Sequence, residues 1–176
     1  MKRSPLIAAL FFANLAVGSV DAQEHELRDM PGYVEFDDLA SAYGEPSVMI
    51  NVGGMLLKLL QVASQEDPEA AALLRDLKGV RLNVYKTGGD DGPAADQIDK
   101  VRRGLSADGW EPIVQVNEDG ERVQILLKSD AERIHGLTVM ALDGEEAVFI
   151  NIIGSLDPAE LDKVLNQFNV DVEVGP

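Results

Sequence analysis

Cysteine is absent from all 176 residues. That excludes a disulfide frame and a lipid-anchored amino-terminal cysteine, so the fold must be held by an apolar core. Histidine is nearly absent: His25 and His135 are the only two. A zinc site takes three or four His, Cys or acidic ligands, so a histidine-based metal site or a Ser-His-Asp triad would rest on His135 alone. The expected reading of His135 is a partly exposed residue at the start of a strand. Neither G-x-S-x-G nor H-E-x-x-H occurs. Bases are scarce beside acids, 15 against 31, for a formal charge of −16. A polyanion is a poor ligand for nucleic acid or anionic lipid headgroups, and because both signs are scattered along the chain, the charge reads mainly as solubility.

Long hydrophobic runs are missing as well. The longest, Leu6 to Val17, has twelve residues with Asn14 inside it, short of the roughly 20 needed to cross a bilayer. It follows Lys2 and Arg3 and precedes small residues ending at Val20-Asp21-Ala22. This is the pattern of a secretory signal peptide, residues 1–22, cleaved after Ala22; a retained amino-terminal anchor is the alternative. Cleavage leaves 13 basic and 30 acidic residues and no stable membrane anchor, in a chain expected to be periplasmic or secreted. The remaining length suffices for one domain with one core.

Residues 23–45 are polar with isolated aromatics and read as a lead-in segment. Tyr33, Phe36, Leu39 and Tyr43 stand at near-helical spacing, which predicts a short helix over 36–43 docked on the core. The single domain spans 46–176. Val48, Ile50 and Val52 alternate as a strand that ends at Gly53-Gly54, and Met55 to Ala63 is apolar on so many positions that it predicts a buried helix. Asp67-Pro68 starts a further helix, which Gly79 is expected to stop, before a strand over 80–86. The loop 87–93 precedes a helix carrying Ile98, Val101 and Leu105 and ending at Gly109.

From Trp110 the pattern is mostly strand. Runs at 110–117 and 122–128 flank Asp119-Gly120, and runs at 134–142 and 146–153 flank Asp143-Gly144. Asp-Gly between β-prone runs predicts tight hairpins, whose two central residues need positive φ. Leu156-Asp157-Pro158-Ala159-Glu160-Leu161 then predicts a capped and stapled helix over 158–168, followed by a short acidic edge strand over 169–174.

Ile50-Asn51-Val52-Gly53-Gly54 and Ile150-Asn151-Ile152-Ile153-Gly154 raise the question of a phosphate loop, because such loops form where a strand breaks on glycine into a helix. Lys58 is the first base after one corner, and Asp157 would put a carboxylate where phosphate should sit at the other. The sequence reading is therefore two central strands that leave the sheet through glycine. Asn51 and Asn151, if buried, must be hydrogen-bonded, with neighbouring backbone as the expected partner.

Asp90, Asp91, Asp96 and Asp99 are candidate calcium ligands, although their spacing fits neither an EF-hand nor a nonapeptide repeat. The alternative is a solvated loop whose acids favour the start of the next helix. In the run 147–153, Phe149 and Ile153 point to one face, while Val148, Ile150 and Ile152 point to the other, so both faces are apolar. Leu126, Met140 and Leu142 extend a second apolar surface, to be covered by the lead-in segment or left for binding or self-association near Val148, Ile150 and Ile152.

Through Leu105-Ser-Ala-Asp-Gly-Trp110-Glu111, the hairpins after it, Asn151 to Gly154 and the Pro31 to Phe36 stretch, the chain resembles the exported bacterial family catalogued as domain of unknown function 4252. The resemblance spans most of residues 31–170. It implies a small envelope protein and transfers no activity, cofactor or catalytic residue. The expectation is a single α+β domain: an antiparallel or mixed sheet of about six strands with helices mainly on one face. The functional expectation is a soluble periplasmic interaction or regulatory module that binds an envelope protein or a peptide, with no catalytic residue, cofactor or nucleic-acid partner assigned. A metal-assisted hydrolase and a small-molecule binder with a pocket under the lead-in segment are the alternatives.

Overall fold

Alternation after Trp110 folds into a four-strand antiparallel meander, and two earlier strands extend it. A computed structural model describes residues 25–36, 39–89, 91–118 and 120–157. After a helical turn at 25–28 come α1 (Leu39–Tyr43), β1 (Val48–Gly53), α2 (Gly54–Ala63), α3 (Pro68–Asp76), β2 (Leu77–Lys86) and α4 (Asp91–Ala107). The meander follows: β3 (Glu111–Glu118), β4 (Glu121–Ser129), β5 (Ile134–Leu142) and β6 (Glu146–Leu156). All six strands form one antiparallel sheet in the order β1-β2-β6-β5-β4-β3.

The first hairpin closes at the Glu118–Glu121 pair, with Gly120 at φ 86°. The second is longer than a two-residue turn. The Asp143 N–H donates to the Glu146 carbonyl at 3.1 Å, and Asp143 Oδ1 accepts from the N–H groups of Glu145 and Glu146 at 3.2 and 2.9 Å. An Asx turn at Asp143 therefore stands where a two-residue turn is predicted, with Gly144 left-handed at φ 80°.

Strand parity divides the core in two. One face carries Tyr85, Leu126, Met140, Leu142 and Phe149, covered by Val34, Phe36 and Leu39 of the lead-in segment and by Ala94, Ala95 and Ile98 of α4. The lead-in segment thus covers the Leu126–Met140–Leu142 surface, as the sequence predicts. Four of the chain's few aromatics gather there: Phe36, Tyr43, Tyr85 and Phe149, with ring centres 5.2 to 5.9 Å apart. The other face packs Ile125, Leu137 and Ile152 against Leu57 of α2 and Leu74 of α3. The described helices are therefore shared between the faces rather than gathered mainly on one, because both parities of β4, β5 and β6 are apolar and each needs a cover.

Three sequence readings are corrected. Among the described residues β1 is an edge strand, not a central one. Gly79 does not stop a helix: α3 ends at Asp76 and Gly79 lies inside β2. Gly154 is not a corner, since β6 runs on through it to Leu156. A Cβ on Gly154 would lie 2.6 Å from the Asp76 carbonyl oxygen, so glycine stands there because another backbone passes close by. The predicted helix over 158–168 and strand over 169–174 lie outside the described residues, as does the signal segment.

Candidate functional site

Asn151, at the centre of β6, is fully buried. Its Oδ1 accepts from the Val34 N–H at 3.0 Å, and its Nδ2 donates to the Gly32 carbonyl at 2.9 Å and the Leu137 carbonyl at 3.4 Å. Arg81 stands opposite it on β2 and donates through Nη1 to the Val34 carbonyl at 2.6 Å. The guanidinium lies 4.6 Å from the Tyr33 ring centre and 5.3 Å from that of Phe36, within cation–π range. The lead-in segment is thereby fastened across the sheet. Asn151 meets its expectation of backbone partners, whereas Asn51, on the edge strand, is exposed.

This fastening brings the backbone at Gly32 against β5. A Cβ on Gly32 would meet the His135 carbonyl oxygen at 1.8 Å, and one on Gly136 would meet Gly32 at 2.6 Å and Trp110 at 2.8 Å. Trp110 is turned inward by the end of α4, where Gly109 adopts φ 81° and the Trp110 N–H donates to the Leu105 carbonyl at 2.9 Å.

Between the lead-in segment and α4 lies a groove of about 540 Å3, lined in part by Tyr33, Glu35, Lys100, Asp108, Trp110 and Lys128. Lys128 Nζ donates to the Asp108 carbonyl. Lys100 and Lys128 line the groove together with Tyr33 and Trp110, a set of residue types suited to a small anion with an apolar part, and Glu35 and Asp108 add carboxylates to the same lining. Sequence reasoning placed a possible pocket under the lead-in segment but named none of these residues, which come from four separate parts of the chain.

His135 is half-buried at the start of β5, with Nε2 2.7 Å from Asp130 Oδ2. Asp130 Oδ1 accepts from the N–H groups of Glu132 and Arg133, both at 2.9 Å. The Glu132 N–H, then His135 and the Arg133 N–H, hold the exposed Asp130 carboxyl down at about 2. The pair fastens the β4–β5 turn. Burial, followed by the nearby Tyr85, pushes the Tyr43 hydroxyl well above its ordinary value, and it donates to the Ala94 carbonyl at 2.7 Å. That bond ties α1 to the start of α4.

The four aspartates are not presented together among the described residues. Asp90 lies outside them, Asp91 opens α4, and Asp96 is exposed on that helix. Asp99 faces the arginines: its carboxylate is 3.7 Å from Arg102 Nε and 3.6 Å from Arg122 Nη1, and it accepts from Gln124 Nε2 at 3.4 Å. Among the described residues no group of three or more His or acidic side chains is placed to hold a metal.

The least expected surface is at the other end of the sheet. Helix α2 was predicted to be buried, yet only Leu57 is. Met55, Leu56, Leu59, Leu60 and Val62 are 39% to 70% exposed. The continuous apolarity of this segment marks a helix with two apolar sides, one on the core and one outward. On β1, the strand that leads into it, Val48 and Met49 are exposed at 44% and 59%, Val48 on the sheet face that α2 covers and Met49 on the other. Of the sheet residues singled out from the sequence, Ile152 is buried under this helix pair, while Val148 and Ile150 are half-buried. No helix among the described residues is long and apolar enough to cross a membrane.

Taken together, these features define an open-sheet α+β protein whose amino-terminal segment is clamped over one sheet face and whose edge strand and following helix present an apolar surface. The chain belongs to the family described as Domain of unknown function (DUF4252), whose model matches residues 43–164. No curated protein matches the chain.

Proposed function

We propose that this chain is an exported interaction or regulatory module of the bacterial envelope, binding another envelope protein or a peptide. The observation that carries the reading is the outward apolar side of α2: five large apolar side chains exposed along ten residues. Contiguous apolar surface of this kind is a hallmark of interaction sites. The leader-like residues 1–22 support export, and the half-buried apolar side chains of Val148 and Ile150 leave part of that sheet face open to contact. The metal-assisted alternative is weakened because Asp99 is engaged by Arg102 and Arg122.

The test is crosslinking of the carboxy-terminally tagged protein in its native envelope, with wild type beside Leu56→Glu/Leu59→Glu. One stoichiometric partner, retained by wild type and lost by the variant, is the expected outcome. Equal recovery by both would sink the reading. The groove supports a second one, a small anionic ligand held near Lys100 and Lys128. Thermal shifts with envelope-derived carboxylates and phosphates, abolished in Lys100→Ala/Lys128→Ala, would favour it.

A further inference from the structure

The two edges of the sheet formed by the described residues differ in chemistry. β3 carries Glu111, Pro112 and Glu118 and a register shift between Pro112 and Val114. Proline, charge and irregular register are the devices by which natural sheets discourage edge pairing. β1, Val-Met-Ile-Asn-Val-Gly, has no charge and no proline, and pairs with β2 in unbroken register from Val48 to Gly53. Alternate residues of such an edge aim N–H and C=O groups away from the sheet, ready to accept a strand.

The surrounding sequence shares this neutrality. In a chain with 31 acidic residues, positions 46–65 hold none, and Lys58 is their only charge. The net charge of −16 opposes most contacts between copies, but here no carboxylate would meet another across the strand seam.

We propose that β1 pairs antiparallel with β1 of a second copy of this chain, joining two sheets into one. In a continuous antiparallel sheet, directly opposed residues share a face, so the two-fold axis must pass at a residue, not between two. Centred on Ile50, the axis sets Val48 opposite Val52 and Ile50 opposite itself on one face, and Met49 opposite Asn51 on the other. The first face becomes a ladder of β-branched pairs, the type that supports sheet pairing. Val52 and Leu57 belong to the same core cluster, so both copies of α2 stand on the same side of the joined sheet. This inference goes beyond the binding of an envelope partner and stands whether or not one docks on α2.

The test uses the exported, processed protein. Light scattering is expected to give twice the single-chain mass. Asn51→Lys, on an exposed position of β1, should raise the dissociation constant about tenfold or more, while Val116→Lys on β3 leaves it unchanged. Because the chain has no cysteine, Ile50→Cys supplies a single thiol that should form an intermolecular disulfide on mild oxidation, and Asn51→Cys should not. A single-chain mass for wild type with no crosslink at Ile50 overturns the proposal. So does a dimer indifferent to Asn51→Lys, which would join through another surface; crosslinking at Asn51 instead of Ile50 overturns the register.

Discussion

Arg81 and Asn151 face each other on adjacent strands and between them satisfy both backbone polar groups of Val34: the side-chain oxygen of one takes its N–H and the guanidinium of the other donates to its carbonyl. A segment with no strand partner of its own is thus held as if it were part of the sheet. Replacing Asn151 by Leu keeps the branched shape and the number of side-chain heavy atoms but strips partners from the Val34 N–H and the Gly32 carbonyl. Each buried orphan costs about 1–3 kcal/mol, so a loss of roughly 3 kcal/mol, or a Tm lower by about 6–12 °C, is expected. Asn51→Leu, on the exposed edge, should stay within about 0.5 kcal/mol. Urea unfolding of the two variants makes the comparison, and equal losses would contradict the clamp.

Gly32 is the second half of that fastening. A methyl group there meets the His135 backbone, which has no flexible side chain to yield. Gly32→Ala should therefore lift the lead-in segment off β5 and uncover Leu126, Met140 and Phe149. The expected result is enhanced binding of an apolar fluorescent dye at temperatures where the sheet remains folded by circular dichroism. Gly104→Ala, where a Cβ meets nothing within 4 Å, serves as the control and should bind no extra dye.

Acid stability provides a third check. The Asp130 carboxyl is held down at about 2 from 3.8 by the Glu132 N–H, His135 and the Arg133 N–H. For a carboxylate whose folded value is depressed, the stabilisation is present above its unfolded value and fades as pH falls through the folded one. Wild type should lose this contribution between about pH 4 and pH 2. Asp130→Asn keeps an acceptor for the turn but has nothing to protonate, so its stability should fall less steeply across that window. A carboxyl titration of Asp130 by NMR with a midpoint near 3.8 would mean that the turn is not held this way.

How much of this was legible in the sequence depended on whether the cause was local. The strand from Ile134 to Leu142 and the hairpin closed by the Glu118–Glu121 pair follow from alternation and turn chemistry. Asn151 announced itself as the odd polar member of an apolar run. Gly154 was misread because its reason is the Asp76 backbone passing 2.6 Å from where a Cβ would be, a tertiary fact. β1 looked central because its apolar residues resemble those of β6, and nothing local says which strand will find a second neighbour. The groove residues Tyr33, Lys100, Trp110 and Lys128 converge only after the lead-in segment has crossed the sheet.

Helix α2 shows how composition misleads when burial is inferred from apolarity alone. Leu57 is 3% exposed and packs with Leu77, Leu137 and Ile152, while Gln61, one turn on, donates to the Leu74 carbonyl at 2.6 Å. These two residues define the inner side. Leu59 lies on the far side at 60% exposure. Leu57→Ala should cost about 2–5 kcal/mol, the range for emptying a packed leucine site. Leu59→Glu removes little buried area and places a good helix former on an exposed position, so it should change stability by about 0.5 kcal/mol or less while raising solubility. If Leu59→Glu destabilised the protein as much as Leu57→Ala, the outward side of α2 would be covered within the chain itself, and the apolar surface would be core rather than a place for a partner.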